Sequence, residues 1–99
     1  MNVVFKNKKI SDLEDGEASE WNHLPIEVIR SFQRKIRIIR DAPDERTLRN
    51  WKSLHFEKLK GKRKAEYSVR LNNQWRLTFT IDNTTKPSTV TVLAIEDYH

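Results

Sequence analysis

The stretch Tyr67-Ser68-Val69-Arg70-Leu71-Asn72-Asn73-Gln74-Trp75-Arg76-Leu77-Thr78-Phe79-Thr80-Ile81 alternates apolar and polar side chains on both sides of an Asn-Asn pair. A period of two puts Tyr67, Val69 and Leu71, then Trp75, Leu77, Phe79 and Ile81, on one face of two strands joined by a turn-prone dipeptide. This is the pattern of a β-hairpin packed on one side. Arg70 and Arg76 have the opposite parity, so both project from the face that the apolar set leaves open. Two guanidinium forks on one face suit a phosphate, unless Glu66 or Asp82 occupies them at the surface.

Working outward, Lys58-Leu59-Lys60-Gly61-Lys62-Arg63-Lys64 precedes the hairpin and holds five cations in seven residues around a glycine. Their mutual repulsion is relieved by an anionic ligand. Beyond the hairpin, a polar stretch over residues 82–88 leads to an apolar run, 89–95, whose lack of clean alternation reads as a strand buried on both faces. Upstream, Pro25 suits the first position of a helix, where its missing N–H has no intrahelical partner to lose. Ile26, Ile29, Phe32, Ile36 and Ile39 then recur every three or four residues, while Arg30, Arg34, Arg37 and Arg40 fall largely elsewhere. Ala42-Pro43 ends that helix. Asp44 caps a second, shorter one, from which Leu48 and Trp51 pack back, and so short a connection makes the two antiparallel. Near the start, Val3, Val4 and Phe5 suit a short strand. The acidic segment 12–20 reads as a solvated loop or short helix, or as a carboxylate cluster facing a basic region. The expected architecture is α+β: an N-terminal strand and two antiparallel helices packed on one face of a mainly antiparallel sheet of three to five strands, with residues 1–99 forming a single domain.

At 99 residues and a formal charge of +5, the chain has room for one modest core and favours an anionic partner. The absence of cysteine excludes thiolate nucleophiles, zinc–thiolate sites, iron–sulfur clusters and disulfides, so no metal or other cofactor is expected. No apolar run is long enough for a membrane helix or a signal peptide, which points to a soluble cytoplasmic protein with no membrane partner.

The last four residues, Glu96-Asp97-Tyr98-His99, bring acids, a phenol and an imidazole to the end of a strand. Beside a basic groove these supply what the groove lacks, groups that move a proton. RNA suits such a combination, because its 2′-hydroxyl is already a nucleophile. Strand cleavage then needs one group to take the 2′-proton, another to protonate the leaving 5′-oxygen, and cations to stabilise the charge growing on phosphorus. Arginine and lysine fit the third role, and Tyr98, His99, His55 and Lys60 are candidates for the first two. A phenol is a poor base at neutral pH, but neighbouring cations favour its ionised form.

Three segments together, Leu59-Lys60-Gly61-Lys62-Arg63, the Tyr67 to Leu77 core and the terminal Glu96-Asp97-Tyr98-His99, resemble HigB-type toxins of bacterial type II toxin–antitoxin modules, within the RelE/ParE-like superfamily. The resemblance implies a RelE/ParE-like fold and an mRNA interferase that cuts messenger in the A site of the translating 70S ribosome. It also implies inactivation by a HigA-like antitoxin with a helix-turn-helix domain. By motif, Arg76, Asp97, Tyr98 and His99 carry over directly as catalytic residues, and Lys60 matches the lysine of the Leu-Lys-Gly segment. Arg70 matches the arginine of the first hairpin strand and joins Lys58, Lys62, Arg63, Lys64 and His55 as RNA- or ribosome-binding candidates. One departure stands out. Where some members have a histidine three residues before that lysine, this chain has Glu57, with His55 two residues further back, so His55 reaches the site only through a longer or bulged loop. Two other readings remain: a ParE-like DNA gyrase inhibitor acting by protein–protein contact, for which residues 97–99 are dispensable, and a ribosome- or RNA-binding module without cleavage.

Overall fold

A computed structural model describes residues 1–98. These run β1 (Asn2–Phe5), α1 (Lys8–Glu14), α2 (Ile26–Asp41), α3 (Glu45–Asn50), β2 (Glu57–Lys58), β3 (Glu66–Arg70), β4 (Trp75–Asp82) and β5 (Thr89–Asp97). Single 3₁₀ turns lie at Ser19–Trp21, Lys52–Leu54 and Gly61–Arg63. The strands form one sheet in the order β1-β5-β4-β3-β2, parallel between β1 and β5 and antiparallel elsewhere. The expected hairpin is β3–β4, with Val69 opposite Leu77 and Arg70 opposite Arg76. Its turn is set by Asn72, whose side-chain oxygen accepts the backbone N–H groups of Gln74 at 2.8 Å and Trp75 at 2.7 Å.

The helices cover one face. Val28, Ile29, Phe32, Ile36 and Ile39 of α2 are buried with Val69, Leu77, Phe79, Val90 and Val92 of the sheet, each contributing about 1.5–3 kcal/mol by leaving water. Ile26, expected on that stripe, is 58% exposed: it is the first residue of the helix, and Pro25 precedes the helix as its cap. Ala42 turns extended before Pro43 and ends α2. Asp44 caps α3 as predicted, its carboxylate accepting the Thr47 N–H at 3.1 Å. Leu48 packs inward, whereas Trp51 stays 44% exposed. The acidic segment begins in a helix. Asn7 caps α1 by accepting the Ile10 N–H, Ile10 and Leu13 are buried, and Glu14 reaches Arg40 of α2 at 2.7 Å.

Along β5 the inward side changes. Val90 and Val92 lie opposite Ile81 and Phe79, on the helix side of the sheet. Thr78 then pairs with Ala94 while Phe79 pairs with Val92, leaving Leu93 as an extra residue. Past this β-bulge the parity is reversed, so Ile95, opposite Leu77, faces the helices, and Ala94 and Glu96 take the other side. The broken alternation of residues 89–95, read as burial on both faces, is this change of side. Tyr98 continues the pattern, its N–H donating to the Gln74 carbonyl at 2.8 Å.

Candidate active site on the polar face of the sheet

Arg76 lies at the centre of the face away from the helices. Arg70 on β3 is its partner on one side and Glu96 on β5 its partner on the other. Only 7% of its surface is exposed, and a buried guanidinium must be hydrogen-bonded. Nε donates to Ser68 Oγ at 2.9 Å, Nη2 donates to the His55 carbonyl, and the Glu57 carboxylate stands 3.9 Å from Nη2. The Tyr98 ring lies over the guanidinium, 5.5 Å from its centroid. Among the described residues Nη1 has no hydrogen-bond partner, so that end of the fork is open to an incoming acceptor.

His55 arrives there by a backbone device. The 3₁₀ turn Lys52–Leu54 ends on His55 in the left-handed conformation, φ 49° and ψ 50°, which histidine adopts more readily than most residues. Its carbonyl thereby meets Arg76, and its ring Nε2 lies 3.3 Å from Arg70 Nη1. A guanidinium only donates, so Nε2 takes the accepting side of this contact. The turn is the bulge that the sequence required for His55 to reach the site.

A second cluster lies on the same face. Glu96 does not pair with Arg76 across the ladder. Its carboxylate accepts Arg63 at 2.9 and 2.5 Å and the Thr78 hydroxyl at 2.7 Å, while Arg63 also donates to Glu66 at 2.8 and 3.0 Å. The hydrogen bonds from Arg63 hold the Glu96 carboxyl below its ordinary value of 4.5, against its partial burial and with help from Thr78. The same two carboxylates hold Arg63 more firmly protonated. A carboxyl depressed by folding adds stability above its unfolded value and loses it as pH falls through the lower folded one. Glu96→Gln is therefore expected to lower the melting temperature at pH 7, with the gap to the unmodified protein closing below about pH 4. A gap of constant size across that range in thermal melts would assign the loss to something other than the bridge.

The other expected site residues separate. Lys60, Lys62 and Lys64 are exposed in the loop, and among the described residues no carboxylate is within ion-pair distance of them or of Lys58. Lys58 lies opposite Tyr67, so the pleat directs it to the helix side rather than toward Arg76. Arg63, expected as an open cation, is engaged by Glu66 and Glu96. Asp97, expected with Tyr98 at the reacting centre, lies opposite Trp75 on the helix side, and its carboxylate accepts from the Gln74 amide at 2.9 Å. It braces the hairpin turn because the bulge reversed its parity. His99 lies outside the described residues. Glu57 and Ser68 join the site without having been singled out as site residues. Ser68 was legible from its parity with Arg70, while Glu57 depends on the short β2 pairing.

Two clefts of about 320 and 340 Å³ lie elsewhere, one lined by α1 and the Ser19–Trp21 turn, the other by the end of α1 and Arg37 and Arg40 of α2. Neither includes a residue of the polar sheet face. Among the described residues no group of three His, Asp or Glu side chains is placed to hold a metal ion.

A family model for RelE-like toxins of the type II toxin–antitoxin system HigB matches residues 3–94. The chain belongs to this HigB-like toxin family. The fold agrees with solved toxin structures. A YoeB/ParE toxin from Agrobacterium tumefaciens superposes with a TM-score of 0.63 at 15% identity over all of both chains. A chain of the heterotetrameric YoeB–YefM toxin–antitoxin complex from Staphylococcus aureus gives 0.60 at 20%, covering 100% of this chain and 97% of that one. YafQ from E. coli strain BL21(DE3) gives 0.60 at 9%, covering 98% and 92%. At these identities the likeness is one of fold. Among curated proteins no match was found. The family match ends before Glu96 and Tyr98, whose place on the polar sheet face rests on the bulge and on the contacts with Arg63, Thr78 and Arg76. No helix among the described residues is long and apolar enough to cross a membrane.

Proposed function

We propose that this HigB-like toxin is a metal-independent endoribonuclease that cuts messenger RNA on the translating 70S ribosome in the cytoplasm. A HigA-like helix-turn-helix antitoxin would hold it inactive. The observation that carries the reading is Arg76: a buried guanidinium fixed by Ser68 and His55, with one end open and a phenol over its face. Such a group is rigid before substrate arrives, which is what stabilising charge in a transition state requires. The scissile phosphate docks on Arg76 Nη1. The 2′-oxygen attacks phosphorus as its proton leaves to a base, and the 5′-oxygen departs with a proton from an acid, giving a 2′,3′-cyclic phosphate and a free 5′-hydroxyl. Glu57, 3.9 Å from Arg76 Nη2, is a proton acceptor added to the sequence candidates Tyr98, His99, His55 and Lys60. Lys60, Lys62 and Lys64 hold the flanking backbone.

A translated reporter incubated with the purified toxin and active ribosomes should show discrete cuts by primer extension, and the same transcript without ribosomes should stay whole. Growth arrest with intact messenger would sink the proposal. Lys62→Ala is expected to weaken ribosome binding and to flatten its dependence on salt by about one unit of slope, with little change in the rate of the bound complex. An unchanged slope would remove Lys62 from the phosphate contacts. For the antitoxin, the support is family membership and the YoeB–YefM complex, and co-expression of a small helix-turn-helix protein encoded beside the toxin should restore growth if that protein is its antitoxin.

A further inference from the structure

Of the cations in the loop over residues 58–64, Arg63 has carboxylate partners, and they come from both sides of a third strand. Glu66 is on β3 and Glu96 on β5, and the sheet order places β4 between them. The Arg63 side chain therefore crosses β4 on the face that carries Arg76 and Thr78, and Thr78 itself donates to Glu96 beneath it. Two N–H groups meet the two oxygens of Glu96 in the fork arrangement that fixes an arginine most firmly. The loop needs fixing. Four lysines without partners among the described residues repel one another, and Gly61 turns the backbone at φ 67°, where side-chain-bearing residues are strained.

We propose that Arg63 and Glu96 are positioning residues of the active site, their bridge pinning the basic loop across the sheet so that Lys60 and Lys62 are presented to RNA in one fixed arrangement. This rests on the cleavage reading above and extends it from which cations act to what holds them. The depressed Glu96 carboxyl agrees with a bridge that is kept at neutral pH. The opposing idea is that Arg63 is itself an RNA contact and Glu96 merely shields it. The two ideas predict opposite signs. If Arg63 positions the loop, Glu96→Gln loosens it and cutting falls. If Arg63 binds RNA, Glu96→Gln releases it, and binding tightens with a steeper salt dependence.

The experiment compares Arg63→Gln, Glu96→Gln and the double variant in ribosome-dependent cutting and in amide hydrogen exchange of the toxin alone. Each single change is expected to lower kcat/KM by about tenfold, through kcat where Lys60 is misplaced and through KM where Lys62 is, and the double variant should be no worse than either single one, because both remove the same bridge. The amides of Arg63 and Lys64, bonded to the Lys60 and Gly61 carbonyls, should exchange faster in all three, while those of the β3–β4 hairpin keep their protection. Faster cutting or tighter ribosome binding by Glu96→Gln overturns the proposal, as does unchanged exchange at residues 63 and 64. If the unmodified toxin does not cut at all, the cleavage reading falls alone, and the exchange rates still decide whether the bridge holds the loop.

Discussion

Arg76→Ala is expected to lower ribosome-dependent cutting by about 10²–10³-fold, the loss usual for one fixed donor to a developing charge. The side chain is nearly buried and serves Ser68 Oγ and the His55 carbonyl at once, so truncation also leaves these groups without their partner. That costs about 1–3 kcal/mol of stability. Arg76→Lys separates the two effects. An ammonium keeps the charge but has no planar fork with which to serve Ser68, His55 and a phosphate together. The lysine variant should therefore fold, shown by an unchanged circular dichroism spectrum, and still cut poorly. Ribosome affinity should change little in either variant, since the exposed lysines supply it. Full cutting by a folded Arg76→Lys protein would show that charge alone suffices and that the fixed geometry is irrelevant.

Tyr98→Phe is the second large effect. The ring stands over Arg76 and is 42% exposed, so the residue has two separable uses: a face that stacks and a hydroxyl that transfers a proton. Phenylalanine retains the first and loses the second. A loss of about 10²-fold or more for Phe, similar to that for Ala, is the outcome expected of a proton-transfer group. A Phe variant that cuts normally would assign the ring to stacking and move the chemistry to Glu57 or His55. The same variant separates the toxin from a gyrase inhibitor of the same fold. Growth arrest that survives both Tyr98→Ala and Arg76→Lys, with gyrase supercoiling blocked in vitro, would favour the ParE-like reading.

Much of this was legible in the sequence because the relevant signals are local. The alternation on either side of Asn72 and Asn73 gave the hairpin and the face of both arginines, and Pro25, Asp44 and Pro43 marked helix ends through backbone chemistry that neighbouring residues cannot override. The helix α1 was less visible, since seven residues carry only two inward apolar positions, too few to define a period. His55 was hidden for a different reason: its access depends on a left-handed backbone at a residue with no glycine to advertise it. The pairing of Arg63 with Glu96 joins residues 33 apart and follows from strand order, which alternation does not specify. Asp97 was misplaced by the same limit. The motif names residue types and not the face each takes, and the bulge at Leu93 sets that face.

That extra residue in β5 gives the C-terminal segment something like a reading frame. The hairpin turn is exposed, but in β5 the faces of the residues up to Tyr98 depend on Leu93 staying outside the ladder. Pairing Leu93 with Thr78, with no residue lost, would leave every charged and aromatic group of the tail present and exchange their faces, whereas deleting Leu93 would make the strand regular and keep each residue on its face. With Leu93 in the ladder, Ile95 would stand opposite Arg76 and Glu96 opposite Trp75, and the phenol would turn toward the helices. Relatives that keep this site are therefore expected to vary in length within residues 82–88, upstream of the bulge, and to hold the count from the bulge to the tyrosine constant.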